Sequence, residues 1–130
     1  MKSLVVDDDF TNRLLLQRFL SELGDVHIAV NGLEAVEAVR AAHFAEAPYQ
    51  VVCLDIMMPG LDGQGALQAI REIEELRHVP AAKRAKVAMI TALDDKGSVM
   101  EAFREQADAY LIKPVLKSRL FELLSQWGLR

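Results

Sequence analysis

The sequence predicts an α/β domain in which five parallel strands alternate with five helices that cover both faces of one sheet. Three observations carry this prediction. Short runs of aliphatic residues recur without polar alternation, as in strands buried on both faces. Segments with apolar residues at helical spacing separate those runs. Acidic side chains, a hydroxyl and an ammonium stand where the runs end, which puts them at one edge of the expected sheet.

The first strand is expected over residues 4–6 and runs into Asp7-Asp8-Asp9. Asp9 reads as the N-cap of a helix starting near Phe10. The inward face of that helix is Leu16, Phe19, Leu20 and Leu23, with Gly24 where a C-cap is expected. A weaker second strand, 26–29, lies between Gly24 and Asn31-Gly32, and Ala35, Val36, Val39 and Ala42 form the second helical face. The third strand, 51–54, leads into Asp55. After the Met58-Pro59-Gly60 turn, Asp62 and Gly63 open a third helix whose inward face is Ala66, Leu67, Ile70 and Ile73. A long connection, 78–86, precedes the fourth strand, 87–90, which ends at Thr91-Ala92. Val99, Ala102 and Phe103 mark the fourth helical face. The fifth strand, 109–112, delivers Lys113-Pro114, and Leu116, Leu120, Leu123, Leu124 and Trp127 form the last face.

Length and composition narrow the possibilities. The 130 residues fit one compact domain, and no linker or repeat divides them, so 1–130 is read as a single domain without an effector domain. A net charge of -4 leaves no electrostatic footprint for nucleic acid and no pull towards anionic membranes. The chain turns acidic at Asp7, too soon for a signal peptide, and no apolar stretch approaches the ~20 residues of a membrane helix. The one cysteine, Cys53, lies in an apolar run, which suits an inert buried thiol in a reducing, cytoplasmic setting. His27, His43 and His78 have no metal-ligand spacing. Arg77, Lys83, Arg84 and Lys86 read as a solvated basic loop.

The chemistry is expected at the strand ends. Carboxylates converging in one crevice raise one another's pKa unless a cation neutralises them. Lys113 supplies one positive charge, and a magnesium ion would supply two more. So sparse a ligand set expects a phosphate-bearing partner, and the carboxylate facing that phosphate can act as a nucleophile and form an acyl phosphate.

Leu4-Val5-Val6-Asp7-Asp8, Leu54-Asp55-Ile56-Met57-Met58-Pro59-Gly60-Leu61-Asp62-Gly63, Thr91-Ala92 and Lys113-Pro114 resemble the receiver domains of two-component response regulators, of the chemotaxis-regulator kind. The resemblance spans essentially the whole chain. It implies a doubly wound, flavodoxin-like sheet with strand order 2-1-3-4-5. It also implies a signalling phosphoacceptor rather than an enzyme, which takes a phosphoryl group on Asp55 from a sensor histidine kinase or histidine phosphotransfer protein. Asp8 would be the main magnesium ligand, Asp7 would act mostly through water, and Asp55 and the Met57 backbone carbonyl would complete the protein's share. Lys113 and Thr91 would hold the phosphoryl oxygens. Tyr110 would act as an aromatic switch that alters the surface of the fourth helix, fifth strand and fifth helix towards a downstream protein. Pro59 and Gly63 would be structural, and Pro114 would follow a cis peptide.

Met57 and Leu93 depart from the commoner pattern of that family. Both positions border the path of the water that hydrolyses the acyl phosphate, and neither side chain here can hydrogen-bond it. Slow self-dephosphorylation is the expectation. Met57 also argues against a phosphatase, since aspartyl phosphatases generally place a second acid two residues after the nucleophile.

Overall fold

A computed structural model of the chain describes residues 1–92 and 106–130. The elements are β1 (Lys2–Val6), α1 (Phe10–Ser21), β2 (Asp25–Ala29), α2 (Gly32–Phe44), β3 (Val51–Asp55), α3 (Gly63–Leu76), a 3-10 turn (Ala81–Lys83), β4 (Lys86–Thr91), β5 (Ala109–Ile112) and α4 (Lys117–Gln126). The strands form one parallel sheet in the order β2-β1-β3-β4-β5. The expected helical face at Val99, Ala102 and Phe103 lies outside the described residues.

The absence of alternation in the strands has a direct cause. Leu4, Val6, Val52, Leu54, Val87 and Met89 face α2 and α3, where they meet Val36, Val39, Leu67 and Ile70. Their neighbours Val5, Val51, Cys53, Ala88 and Ile90 face the other way and meet Leu16, Leu20, Leu120, Phe121 and Leu124. Both faces of the central strands are therefore core. β2 is an edge strand and mostly exposed, which explains its weak apolar signal.

Backbone pairing carries the strands past their apolar runs. β1 begins at Lys2 and β4 at Lys86, while Asp55 pairs with Ile90 and Thr91 with Ile112. Side-chain caps set the helix starts. Asp9 accepts from the Thr11 and Asn12 amides, Asn31 from Glu34, and Asp62 from Gly65.

Two local expectations fail. Gly24 is not the cap of α1, which ends at Ser21 with Glu22 as its C-cap. A Cβ at Gly24 would lie 1.9 Å from the Met1 carbonyl oxygen, so the glycine lets the N-terminal residue pass. Leu116 is not on the inner face of the last helix. It precedes the first turn and is 59% exposed, while Phe121 is buried instead beside Leu120 and Leu124.

The topology creates the site. The chain leaves β1 for the β2 edge and then returns past β1 to β3. Connections after β1 and β3 therefore diverge, which opens a crevice at the carboxyl ends of these two strands.

Candidate functional site

Asp7 follows the last residue of β1, and Asp55 is the last residue of the neighbouring β3. Asp7, Asp8 and Asp55 each bring a carboxylate oxygen within 4.8 Å of the others, with Asp7 and Asp55 buried and Asp8 exposed. Lys113, directly after β5, reaches over both buried acids. Its Nζ lies 3.2 Å from Asp55 Oδ2 and 3.6 Å from Asp7 Oδ2.

The backbone fixes these carboxylates further. The Asp9 amide donates to Asp7 Oδ1 at 2.9 Å, and the Met57 amide donates to Asp55 Oδ1 at 3.2 Å. Arg13 Nη1, one turn into α1, donates to the Asp7 carbonyl at 2.9 Å. This contact gave no signal in the sequence, because a single arginine on a helix is ordinarily solvated. Asp9 itself caps α1 as expected.

The turn after β3 has tight steric demands. Gly60 has φ +76°, and Pro59 precedes it, the pairing that a type II turn favours. A Cβ at Gly63 would lie 2.3 Å from the Asp55 carbonyl oxygen and 2.7 Å from Ile56 Cα. The start of α3 thus packs directly on the backbone that carries Asp55, with the Gly63 amide donating to the Ile56 carbonyl at 3.1 Å.

The electrostatics describe a site short of positive charge. Burial is the main force raising the Asp7 carboxyl, to about 6; the Asp9 amide opposes it, Asp55 repulsion adds to it, and Lys113 partly offsets it. Burial alone would depress the Lys113 ammonium, but the Asp55 and Asp7 carboxylates outweigh it and hold the pKa above its usual value. Asp7 Oδ2 is buried without a hydrogen-bond partner among the described residues. An orphaned acid oxygen inside a three-carboxylate cluster suits a small hard cation.

The remaining expected residues are positioned as follows. Thr91, the last residue of β4, is 1% exposed, and its hydroxyl donates to the Ala92 carbonyl at 3.2 Å. The Lys113 amide donates to the Thr91 carbonyl at 2.9 Å, which ties the two strand ends together. The Lys113–Pro114 peptide is cis. Tyr110 pairs with Met89 across the β4–β5 ladder and is half-buried against the α2–α3 side of the core. Met57 is 61% exposed at the rim of the site, and Leu93 lies outside the described residues. Cys53 is fully buried, and burial pushes its thiol up to about 12. The histidines are dispersed, with His27 Nδ1 2.7 Å from the Tyr49 hydroxyl.

The response regulator receiver domain profile matches residues 3–125, over nearly the whole of this fold. The chain belongs to the receiver domain family. It is 34% identical over 128 residues to the chemotaxis protein CheY-3 of Vibrio cholerae, covering 97% of this chain and 90% of that protein. It is 30% identical over 125 residues to the sensor histidine kinase GacS of Pseudomonas protegens, where it covers 95% of this chain but only 13% of the kinase. Among solved structures it resembles the receiver domain of the sensor histidine kinase PA1611 of Pseudomonas aeruginosa, which holds magnesium in its active-site cleft. That match has a TM-score of 0.78 and 25% identity, covering 97% of this chain and 95% of the other. A chain from the Saccharomyces cerevisiae complex of the phosphotransfer protein Ypd1 with the Ssk1 receiver domain matches with TM-score 0.81 and 25% identity, over 98% and 88% of the two chains.

Receiver domains are phosphoacceptors of two-component signalling, and this chain has their α/β fold with the strand order 2-1-3-4-5. No helix among the described residues is long and apolar enough to cross a membrane.

Proposed function

We propose that Asp55 is the phosphoryl acceptor and that Lys113 is the fixed cation of the reaction. The observation that carries this reading is the shared ammonium, 3.2 Å from Asp55 Oδ2 and 3.6 Å from Asp7 Oδ2. An Asp55 carboxylate oxygen attacks the phosphorus of a phosphohistidine, the P–N bond breaks, and the leaving imidazole takes up a proton. Phosphoryl transfer asks mainly for in-line positioning and charge neutralisation. The Met57 amide keeps the Asp55 carboxylate oriented, and Lys113 follows the charge as it moves onto the phosphoryl oxygens. Thr91 turns its hydroxyl from the Ala92 carbonyl to the phosphoryl group.

Asp7, Asp8, Asp55 and the Met57 carbonyl would hold magnesium, which neutralises carboxylate and phosphoryl charge when bound. The partnerless Asp7 Oδ2 supports this donor set. The phosphodonor is a histidine kinase or phosphotransfer protein, the class with which receiver domains are paired. Tyr110 transmits the state of Thr91 to the β5 surface, a two-state element biased by a local charge event. Residues 1–130 act as one receiver domain in the cytoplasm.

Incubation with acetyl phosphate and magnesium, followed by intact mass measurement, tests this reading. One phosphoryl group should appear on the wild-type protein and none on folded Asp55→Asn or in the presence of a chelator. An adduct of equal yield on Asp55→Asn would reject Asp55 as the acceptor.

A further inference from the structure

At the opposite edge of the sheet from the carboxylates lies a cleft of about 280 Å³. Tyr49, Trp127 and Leu129 line it together with Lys83, Arg84 and Lys86. Among the described residues no carboxylate lines it, in a chain whose net charge is -4. β4 begins at Lys86 and ends at Thr91 beside the acidic site, so the two sites are separated by roughly 17 Å of strand.

The cations are both available and held in place. Neither Lys83 nor Arg84 forms an ion pair among the described residues, and Lys86 Nζ stands 3.9 Å from its only ion-pair carboxylate there, on Asp108. Arg84 donates through Nε to the Val79 carbonyl at 3.1 Å, which leaves its two terminal nitrogens for a ligand. The loop that carries them is braced from beneath. The Glu74 carboxylate, 1% exposed, accepts the Ala85 amide at 2.8 Å, and Arg71 Nη1 donates to the Ala85 carbonyl at 2.9 Å. Arg71 also bonds Glu74, Asp108 and the Gln106 carbonyl, which anchors the loop to α3 and to the start of β5. A preorganised row of cations beside an indole is a built surface, with little ordering left to do on binding.

We propose that this cleft docks an acidic segment of a partner protein, with one aromatic or long aliphatic side chain seated against Trp127 and carboxylates on Lys83, Arg84 and Lys86. Charge complementarity selects the sign of the partner. The layout selects its class: the cations span four consecutive positions, up to about 10 Å of backbone, which a run of acidic side chains matches better than one phosphate does. Docking here leaves the phosphoryl site open, so a partner can hold this edge while Asp55 is phosphorylated at the other.

Trp127 is the only tryptophan of the chain and therefore reports on the cleft directly. The probe is a short synthetic peptide of glutamates flanking one central phenylalanine, titrated into the full chain while Trp127 emission is followed. The expected result is a saturable change that weakens with added salt and weakens at least about tenfold in Lys83→Glu, whose side chain forms no hydrogen bond or ion pair among the described residues. Replacing the phenylalanine by glutamate should weaken binding as well. No saturable change, equal binding by Lys83→Glu, or tighter saturation by a nucleoside triphosphate than by the peptide would overturn the proposal. Lys86→Glu gives a second, independent variant with the same expected loss.

Discussion

Lys113 faces Asp7 across 3.6 Å, beyond hydrogen-bond reach, and the Asp7 oxygen nearest to it has no hydrogen-bond donor among the described residues. The ammonium sits closer to Asp55, at 3.2 Å. One fixed cation thus serves two buried carboxylates, which leaves the cluster short of positive charge.

Removing that cation leaves both acids uncompensated. Lys113→Met should lower stability at neutral pH by on the order of 1–2 kcal/mol, less than for a fully buried pair because the lysine is a quarter exposed. Added magnesium should restore part of the loss. Chemical denaturation with and without magnesium measures both effects.

The Asp7 carboxyl gives a pH dependence of defined sign. Its folded value of about 6 exceeds the ordinary 3.8, so the folded state binds the extra proton. Stability from this group is fully present below about 4 and is lost as pH rises through about 6. His43 acts oppositely, since burial, then Arg77, lower its pKa and its protonation disfavours the fold. The difference between wild type and Asp7→Asn isolates Asp7. In metal-free buffer the variant should be more stable at pH 7.5, by on the order of 2 kcal/mol, and the gap should close near pH 4. Magnesium affinity of the wild type should fall as pH drops below 6, as the proton and the metal compete for Asp7.

Gly63→Ala should damage stability and site together. The added Cβ meets the Asp55 carbonyl oxygen at 2.3 Å, and backbone on both sides resists displacement. A loss of about 1–3 kcal/mol is expected, with slower phosphorylation by acetyl phosphate in the protein that remains folded. Thermal melts and phosphorylation rates measured on the same preparation check the coupling.

Met57 overhangs the site with an exposed, apolar side chain. Its side chain cannot position a hydrolytic water, so the phosphoryl group on Asp55 should be long-lived. Met57→Asn should shorten the lifetime, and Met57→Asn/Leu93→Glu should shorten it further. Decay of phosphoprotein after removal of the donor reads this out, and an unchanged short lifetime in all three proteins would contradict it.

The legibility of the fold follows from its symmetry. Strands buried on both faces announce themselves as unbroken aliphatic runs, so β1, β3 and β4 could be read from sequence, as could the apolar run of the edge strand β5, and the strand ends placed Asp7, Asp55, Thr91 and Lys113 at one edge. β2 is exposed and gave little. Gly24 misled because glycine after a helical run suits a cap as well as a close backbone crossing. The Arg71–Glu74–Asp108 brace was invisible, because charged residues on α3 and before β5 look like solvated positions until the long loop folds over them. The crowding that makes Gly63 necessary depends on how α3 packs on β3, which no local pattern encodes.

The most direct measurement traps the acyl phosphate chemically. Protein phosphorylated with acetyl phosphate and magnesium is reduced with borohydride, which converts an aspartyl phosphate to homoserine, and the modified position is located by peptide mass spectrometry. The expected result is homoserine at position 55 alone, dependent on magnesium and much reduced in Lys113→Met. Modification at Asp7 or Asp8, or none on a protein that binds magnesium and remains folded, would contradict the assignment of Asp55.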